Sequence, residues 1–88
     1  MELKYRGTFK RDFENCNRAL VVAVHEVVTN VKNASSIQQI HYLKKLRKYK
    51  AQYRIRVADD YRIGIIIRGK TVWFICFGHR NSFYKNFP

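Results

Sequence analysis

Six side chains in the second half of the chain have the types and the spacing to act on a phosphate group. They are Arg54, Arg56, Arg62, His79, Arg80 and Tyr84. Guanidinium groups bind phosphate oxygens in pairs, and they stabilise the charge that develops when a phosphate is attacked. A histidine and a tyrosine beside them could move the protons, because both side chains can donate and accept hydrogen bonds. The set therefore points to chemistry on RNA more than to general anion binding.

A strand would hold the first two arginines on the same side. Successive residues of a strand point to opposite faces of its sheet, so Arg54 and Arg56 share one face and Ile55 lies on the other. The apolar residues that alternate with the arginines predict a half-buried strand. Arg62 lies in the next apolar segment, after a turn at residues 59–60. A sheet of this kind would carry all three arginines in fixed positions.

The other hydrophobic patterns predict the elements that would position this site. Helical spacing begins at Phe9, and a longer apolar stripe from Leu20 to Val31 predicts a second helix. The predicted strands cover residues 3–6, 50–57, 61–68 and 71–77. The order β-α-α-β-β-β predicts one α+β domain over residues 1–88, with a helical hairpin packed on one face of a small antiparallel sheet. The other face is then left partly open, and it carries the arginines.

The charge of the chain indicates a polyanionic partner. The net charge is +12 in 88 residues, and no acidic residue lies between Glu26 and Asp59. Residues 37–49 are predicted to form an irregular, basic connection, and the surface around them would attract RNA electrostatically. The residues of that surface are Lys44, Lys45, Arg47, Lys48 and Lys50. Nucleic acid is the first expectation for the partner, followed by an acidic protein and then by an anionic membrane.

Several classes of protein find no support in the sequence. No apolar run reaches the length of a membrane-spanning helix, and the N-terminus lacks the apolar segment of a signal peptide, so we expect a cytoplasmic protein without a membrane partner. Cys16 and Cys76 fall within apolar patterns and are predicted to be core thiols, with a disulfide as the minor alternative. No Cys or His pair has the spacing of metal ligands, so we expect no metal and no cofactor.

The chain resembles the RelE/ParE superfamily, the toxins of bacterial type II toxin–antitoxin systems. The resemblance rests on residues 53–57 (YRIRV), residues 60–63 (DYRI), residues 78–80 (GHR) and Tyr84. It covers nearly the whole chain and is strongest from Lys50 onwards. For the fold, it implies a small sheet with an N-terminal helical hairpin, as the hydrophobic patterns also predict.

For the function, the resemblance implies a ribosome-dependent endoribonuclease. Such toxins enter the ribosomal A site and cut the mRNA codon there. The 2′-hydroxyl of one nucleotide attacks the next phosphate, the 5′-oxygen leaves, and no metal is needed. The implied partners are the ribosome with its rRNA, the mRNA and a cognate antitoxin, which would cover the basic face.

The resemblance also implies roles for individual residues. Arg54 and Arg56 take the places of paired basic residues on the first long strand, where RelE-type enzymes often have lysine. An arginine does not usefully lose its proton, so these two are expected to bind phosphate and not to act as the base. His79 is then the expected base or acid, with Tyr84 as its partner or as a stacking group. The two other arginines take the places of arginines on the next strand and after the last strand.

Other interpretations stay open at this point. The chain could be a ParE-like inhibitor that binds DNA gyrase and cuts no RNA, although such proteins generally do not need the C-terminal His-Arg and Tyr set. It could also be a basic RNA-binding module without chemistry. At the level of single residues, the arginines could form a solvated strand face, His79 could merely cap or bind backbone, and Tyr84 could pack the tail onto the core.

Overall fold

The computed structural model describes all 88 residues, which form a five-stranded sheet and three α-helices. The strands are β1 (Glu2–Tyr5), β2 (Leu43–Lys45), β3 (Gln52–Val57), β4 (Tyr61–Arg68) and β5 (Thr71–His79). The helices are α1 (Gly7–Glu14), α2 (Arg18–Asn33) and α3 (Arg80–Asn86), with a 3-10 turn at Ile37–Gln39. The strand order is β1-β5-β4-β3-β2, in which β1 runs parallel to β5 and every other pair is antiparallel. None of the helices has both the length and the apolar composition of a bilayer-spanning segment.

The sheet and the first two helices enclose the hydrophobic core. Alternation along β3 and β4 sends Ile55, Ile63 and Ile65 to one face, where all three are fully buried. The apolar stripe of α2 contributes Val24 and Val31 to this core, and both are also fully buried. Burying a side chain of this size stabilises the fold by about 1.5–3 kcal/mol. The predicted α+β arrangement, with a helical pair on one face of the sheet, is confirmed.

Helix α1 covers the edge of β5 that β1 leaves unpaired. Strand β1 pairs only with the first four residues of β5, Thr71–Phe74. Beyond them, the Asp12 carboxylate accepts a hydrogen bond from the Phe77 N–H at 3.0 Å, and the Thr8 hydroxyl donates to the Ile75 carbonyl. These bonds satisfy backbone groups that an open edge would expose. The helical hairpin is therefore also tied to the sheet by polar contacts, near the end of β5.

The structure adds two elements to the expected order, β2 and α3, and its sheet is mixed because β1 is parallel. Residues 37–49 are not wholly irregular, since Leu43–Lys45 pair with β3. Leu43 packs against the core, and this contact outweighs the low strand preference of the lysines that follow it. Helix α3 forms in the tail because the rings of Phe83 and Phe87, four residues apart, are both buried.

Helix α3 lies on the face of the sheet that the other two helices leave open. Gly64 of β4 makes room for it, because a Cβ at this position would lie 2.8 Å from atoms of the Phe87 ring. Gly64 itself is buried, although the alternation places it on the same face as the arginines. The tail therefore closes over part of this face, while Arg56 on β3 stays exposed.

A Gly64→Ala substitution should destabilise the protein by displacing the C-terminal segment. The added methyl group cannot share its space with the Phe87 ring, so we expect the free energy of unfolding to fall by about 1–3 kcal/mol. Urea denaturation followed by circular dichroism measures the change. Gly78→Ala is the matched control, because a Cβ there meets only the Ser82 hydroxyl oxygen, at 3.9 Å. Equal stability of the two variants would contradict the packing of Phe87 on Gly64.

Candidate phosphate site and nucleic-acid interface

Cationic side chains of three neighbouring strands meet on the open face of the sheet. The register sets Lys44 of β2 opposite Arg54 of β3, and Arg56 of β3 opposite Arg62 of β4. Residues that are directly opposite point to the same face, and their Cβ atoms are about 4.5–5.5 Å apart. The structure therefore brings together the three strand arginines that the sequence singles out.

Backbone carbonyls hold the guanidinium group of Arg62 in place. Its Nη1 donates to the Asp59 carbonyl at 2.6 Å and to the Tyr61 carbonyl at 2.9 Å. Ala58 and Asp59 have positive φ angles of 48° and 57°, so Arg62 also fastens a tightly wound turn. The Nε of Arg62 is buried and has no hydrogen-bond partner. Buried donors without an acceptor are uncommon, and an anion bound at this guanidinium would satisfy the missing bond.

None of the strand arginines is neutralised by a carboxylate. The only ion pair in the structure joins Arg80 Nε to Asp60 Oδ1 at 3.6 Å, and both side chains are more than half exposed. Arg56 instead contacts an aromatic ring, with its guanidinium carbon 4.9 Å from the centroid of Tyr42. In the sequence, only its position before a lysine-rich segment could have marked Tyr42 as a site residue. The fold is what brings it next to Arg56.

Helix α3 brings Arg80 and Tyr84 to the border of this face. The two residues are four apart, so they lie on one side of the helix, and Tyr84 is 52% exposed. The other side carries Ser82 and Asn86, which line a small cavity with Asp12 at the edge of β5. Because that side faces the edge of β5, helical periodicity turns the side with Arg80 and Tyr84 towards β4 and β3. Both predicted residues therefore flank the arginines without lying among them.

The structure places His79 differently from the arginines. His79 pairs with Tyr61 in the register and contacts its ring edge-on at 5.3 Å, so it belongs to the face that packs under the first two helices. It is also the N-cap residue of α3, and its Nδ1 accepts a hydrogen bond from the Asn81 N–H at 3.1 Å. The backbone-capping role that the sequence left open is thus present. Its Nε2 remains available for a second partner, and its role in proton transfer stays a prediction.

The lysine-rich segment forms β2 and the loop that joins it to β3. All five of its predicted RNA-binding residues are exposed: Lys44, Lys45, Arg47, Lys48 and Lys50. Lys44 continues the row of cations on the open face through its place beside Arg54. Lys45 points to the other face, and its ammonium group donates to the Tyr49 carbonyl within the loop. The segment therefore extends the positive surface from the arginines to the edge of the sheet.

Neither cysteine is suited to act as a nucleophile. Cys16 and Cys76 are free, half-buried thiols that do not form a disulfide. Cys16 packs against the core as predicted, whereas Cys76 pairs with Gly64 on the face that carries the arginines, so its assignment to the core is wrong. Burial raises the pKa of the Cys76 thiol to about 11, and the nearby Asp12 carboxylate adds to the effect. Burial also raises the pKa of the Cys16 thiol. Both sulfur atoms therefore stay protonated near neutral pH, whereas a nucleophile would need to be a thiolate.

Comparison with solved structures assigns the fold to the RelE-like toxins. A chain of the RelB–RelE antitoxin–toxin complex from Methanococcus jannaschii superimposes with a TM-score of 0.81 at 30% identity, covering 97% of this chain and 99% of that one. The fold is shared with the RelBE complex of E. coli, with a TM-score of 0.72 at 16% identity over 89% of this chain and 94% of that one. It is also shared with RelBE2 of Mycobacterium tuberculosis, with a TM-score of 0.70 at 22% identity over 90% and 96%.

Comparison of sequences identifies the family. No protein-family model matches the chain. However, it is 32% identical over 89 residues to Toxin RelE3 of Methanocaldococcus jannaschii, and the alignment covers both proteins in full. The chain therefore belongs to the RelE family, the toxins of type II toxin–antitoxin systems. The resemblance carried by the strand and C-terminal motifs is confirmed.

Alkylation should show that Cys76 is a poor nucleophile in the folded protein. A pKa of about 11 in place of the ordinary 9.0 leaves roughly one hundredth of the usual thiolate at a given pH below 9. In a Cys16→Ser variant, which leaves one thiol, we expect iodoacetamide at pH 8 to modify Cys76 about 100-fold more slowly in buffer than in urea. Mass spectrometry of timed samples gives the rates. Equal rates in the two conditions would show that the sulfur is neither shielded nor shifted in pKa.

Proposed function

We propose that this chain is a ribosome-dependent endoribonuclease that cuts mRNA in the ribosomal A site and so inhibits translation. The observation that carries the proposal is the group of strand arginines on one face of the sheet, none of which is paired with a carboxylate. Membership of the RelE family supports the same activity. The proposal combines a polyanionic substrate with a site whose cations stand on neighbouring strands, and one of them, Arg62, is held by backbone carbonyls before the substrate arrives.

The proposed reaction is a transesterification within the mRNA. The 2′-hydroxyl of one nucleotide loses its proton and its oxygen attacks the adjacent phosphorus. The bond from phosphorus to the 5′-oxygen breaks, and that oxygen takes up a proton, which leaves a 2′,3′-cyclic phosphate. Negative charge builds up on the non-bridging oxygens in the transition state. Guanidinium groups fixed around these oxygens lower its energy without reorganising, and Arg54, Arg56 and Arg62 would supply them.

The C-terminal helix would complete the site from its border. Arg80 would add a further cation, and its ion pair with Asp60 is exposed enough to yield to a phosphate at little cost. Tyr84 would stack on a base or take part in proton transfer, because its ring is half exposed on the same side of α3. His79 is the remaining candidate for acid or base, and its cap bond leaves Nε2 as the nitrogen that could reach the RNA.

The proposed partners follow from the charge and from the relatives. The M. jannaschii, E. coli and M. tuberculosis structures are toxin–antitoxin complexes, and we propose that this chain likewise binds a cognate antitoxin, with acidic residues over its open face. On the ribosome, the positive edge formed by β2 and its loop would lie against rRNA. Long-range attraction of this kind speeds association and weakens as salt is added.

Primer extension on a reporter mRNA in a purified translation system tests the proposal. The chain is added with and without ribosomes, and the positions of the cuts are read. Cuts that need ribosomes and fall at a fixed position in the A-site codon support the proposal. Cuts of equal intensity without ribosomes would contradict the dependence on the ribosome. Unaffected translation would instead direct attention to DNA gyrase, whose supercoiling activity is then the measurement to make.

An Arg54→Ala substitution should slow cleavage far more than loss of charge alone explains. Removing one fixed donor from a charge-stabilising site typically costs a factor of about 10²–10³ in rate. Arg68→Ala is the matched control, because Arg68 is an exposed arginine that alternation places on the same face, about 13 Å further along the sheet. Single-turnover rates from the primer-extension signal provide the comparison. Equal losses in the two variants would show that the face acts only through its total charge.

A His79→Asn substitution separates the cap from the proton transfer. Asparagine is among the best N-cap residues, so α3 should keep its start, while the imidazole ring is lost. If His79 donates or accepts a proton, we expect the single-turnover cleavage rate to fall by about 10²–10⁴. Cleavage at wild-type rate with an unchanged pH profile would leave His79 with the cap alone.

A further inference from the structure

Tyr42 is presented to solvent in a way that a packing role does not explain. Its side chain is 64% exposed, which makes it the most exposed of the large hydrophobic residues. Its φ angle is +61°, a left-handed conformation that a bulky residue rarely adopts. Residues in such conformations persist only where their surroundings hold them, and they concentrate at functional sites.

The surroundings of Tyr42 hold its backbone on both sides. Its carbonyl accepts a hydrogen bond from the Arg56 N–H at 3.3 Å. On the α2 side, Asn30 accepts from the His41 N–H at 3.0 Å and donates to the Gln39 carbonyl at 3.2 Å. The residues flanking this segment, Ile40 and Leu43, are fixed in or against the core. The ring is therefore placed by the fold and is not part of a free loop.

The ring of Tyr42 forms a stack with the guanidinium group of Arg56. The guanidinium carbon lies 4.9 Å from the ring centroid, which is within the range of a cation–π interaction. Leu43 pairs with Ile55, so the chain direction places Tyr42 beside Arg56 at the edge of the arginine-bearing face. Unpaired bases of RNA bind to proteins by stacking on aromatic rings and on the planes of arginine side chains. Tyr42 and Arg56 offer both surfaces together.

We propose that Tyr42 and Arg56 form a stacking platform for one unpaired RNA base next to the phosphate held by the strand arginines. This inference rests on the proposed function, because it adds a base contact to the same substrate. The surrounding charge fits RNA better than an apolar protein segment, since the neighbouring cations Lys44 and Arg54 lie on the next row of the sheet. The platform would hold the substrate in register, so that the arginines meet one phosphate and not its neighbours.

Binding of an uncleavable RNA tests the platform without depending on cleavage. The probe is a short single-stranded oligonucleotide that carries 2′-O-methyl groups and a terminal fluorophore, and anisotropy gives its Kd. Tyr42→Asn removes the ring while keeping a residue type that accepts positive φ, so the fold should survive. We expect this variant to bind roughly ten-fold more weakly, because stacking on one aromatic ring contributes about that much. Tyr42→Phe should bind as the wild type does.

Two controls make the result specific to stacking. Tyr49→Ala removes another exposed tyrosine, 43% accessible, whose ring stacks on no cationic side chain, and it should leave the Kd unchanged. A series of oligonucleotides with one abasic nucleotide should contain a position at which the wild type and the Tyr42→Asn variant bind equally, because the base that would stack is then missing.

The outcomes distinguish this proposal from the proposed function. Equal Kd values for the wild type and Tyr42→Asn, the same loss in Tyr49→Ala, or a loss that persists at every abasic position would each overturn the platform. Absence of RNA binding by the wild type would overturn it as well. Failure of the endoribonuclease proposal shows instead in the ribosome assay, where the wild type would leave the mRNA uncut whatever the oligonucleotide binding shows.

Discussion

The arginine-bearing face depends on a hydrophobic sheet that holds like charges opposite one another. Arg56 faces Arg62, and Lys44 faces Arg54, across neighbouring strands. Like charges in such positions oppose strand pairing, so an isolated hairpin of this sequence would gain nothing from these contacts. The register is set from the other face, where Ile55 and Ile63 are fully buried. A slip of one residue would move both isoleucines into water and the arginines into the core.

Repulsion among these cations explains why binding a polyanionic partner would be favourable for the free chain. Eighteen basic residues stand against six acidic ones, and a single exposed ion pair forms between them. One of the six, Asp12, is engaged with the backbone of β5 and is not available to screen the open face. Self-repulsion of this size opposes the compact state. RNA phosphates or an acidic antitoxin segment would remove it, so binding would also stabilise the fold. Added salt would weaken that binding, but it would also screen the self-repulsion of the free chain and so stabilise it.

The sequence predicts those parts of the structure in which the local pattern and the core agree. The alternation in residues 53–57 and 61–67 yields β3, β4 and the shared face of their arginines, because both strands are long and half-buried. Strand β2 is only three residues long and lysine-rich, so its pairing with β3 is visible only once Leu43 meets the core. Helix α3 escapes prediction because Phe87 acquires its burial from Gly64 on a distant strand. The sequence pattern also does not identify Tyr42, because its contact partner Arg56 lies fourteen positions further along the chain.

The capping bond of His79 constrains the chemistry that the sequence leaves undecided. A neutral imidazole carries one proton, and a nitrogen that accepts a hydrogen bond cannot hold it. Since Nδ1 accepts from the Asn81 N–H, the proton of the neutral ring lies on Nε2, the nitrogen left free. In this state the ring offers a hydrogen-bond donor at Nε2, but it has no lone pair there to take a proton from the 2′-hydroxyl. Service as the acid would need the imidazolium form, because a neutral imidazole that gave up its only proton would become an anion. Either role therefore places a proton on Nδ1 and releases the cap at the start of α3, so proton transfer by His79 would be coupled to a local change at this helix end.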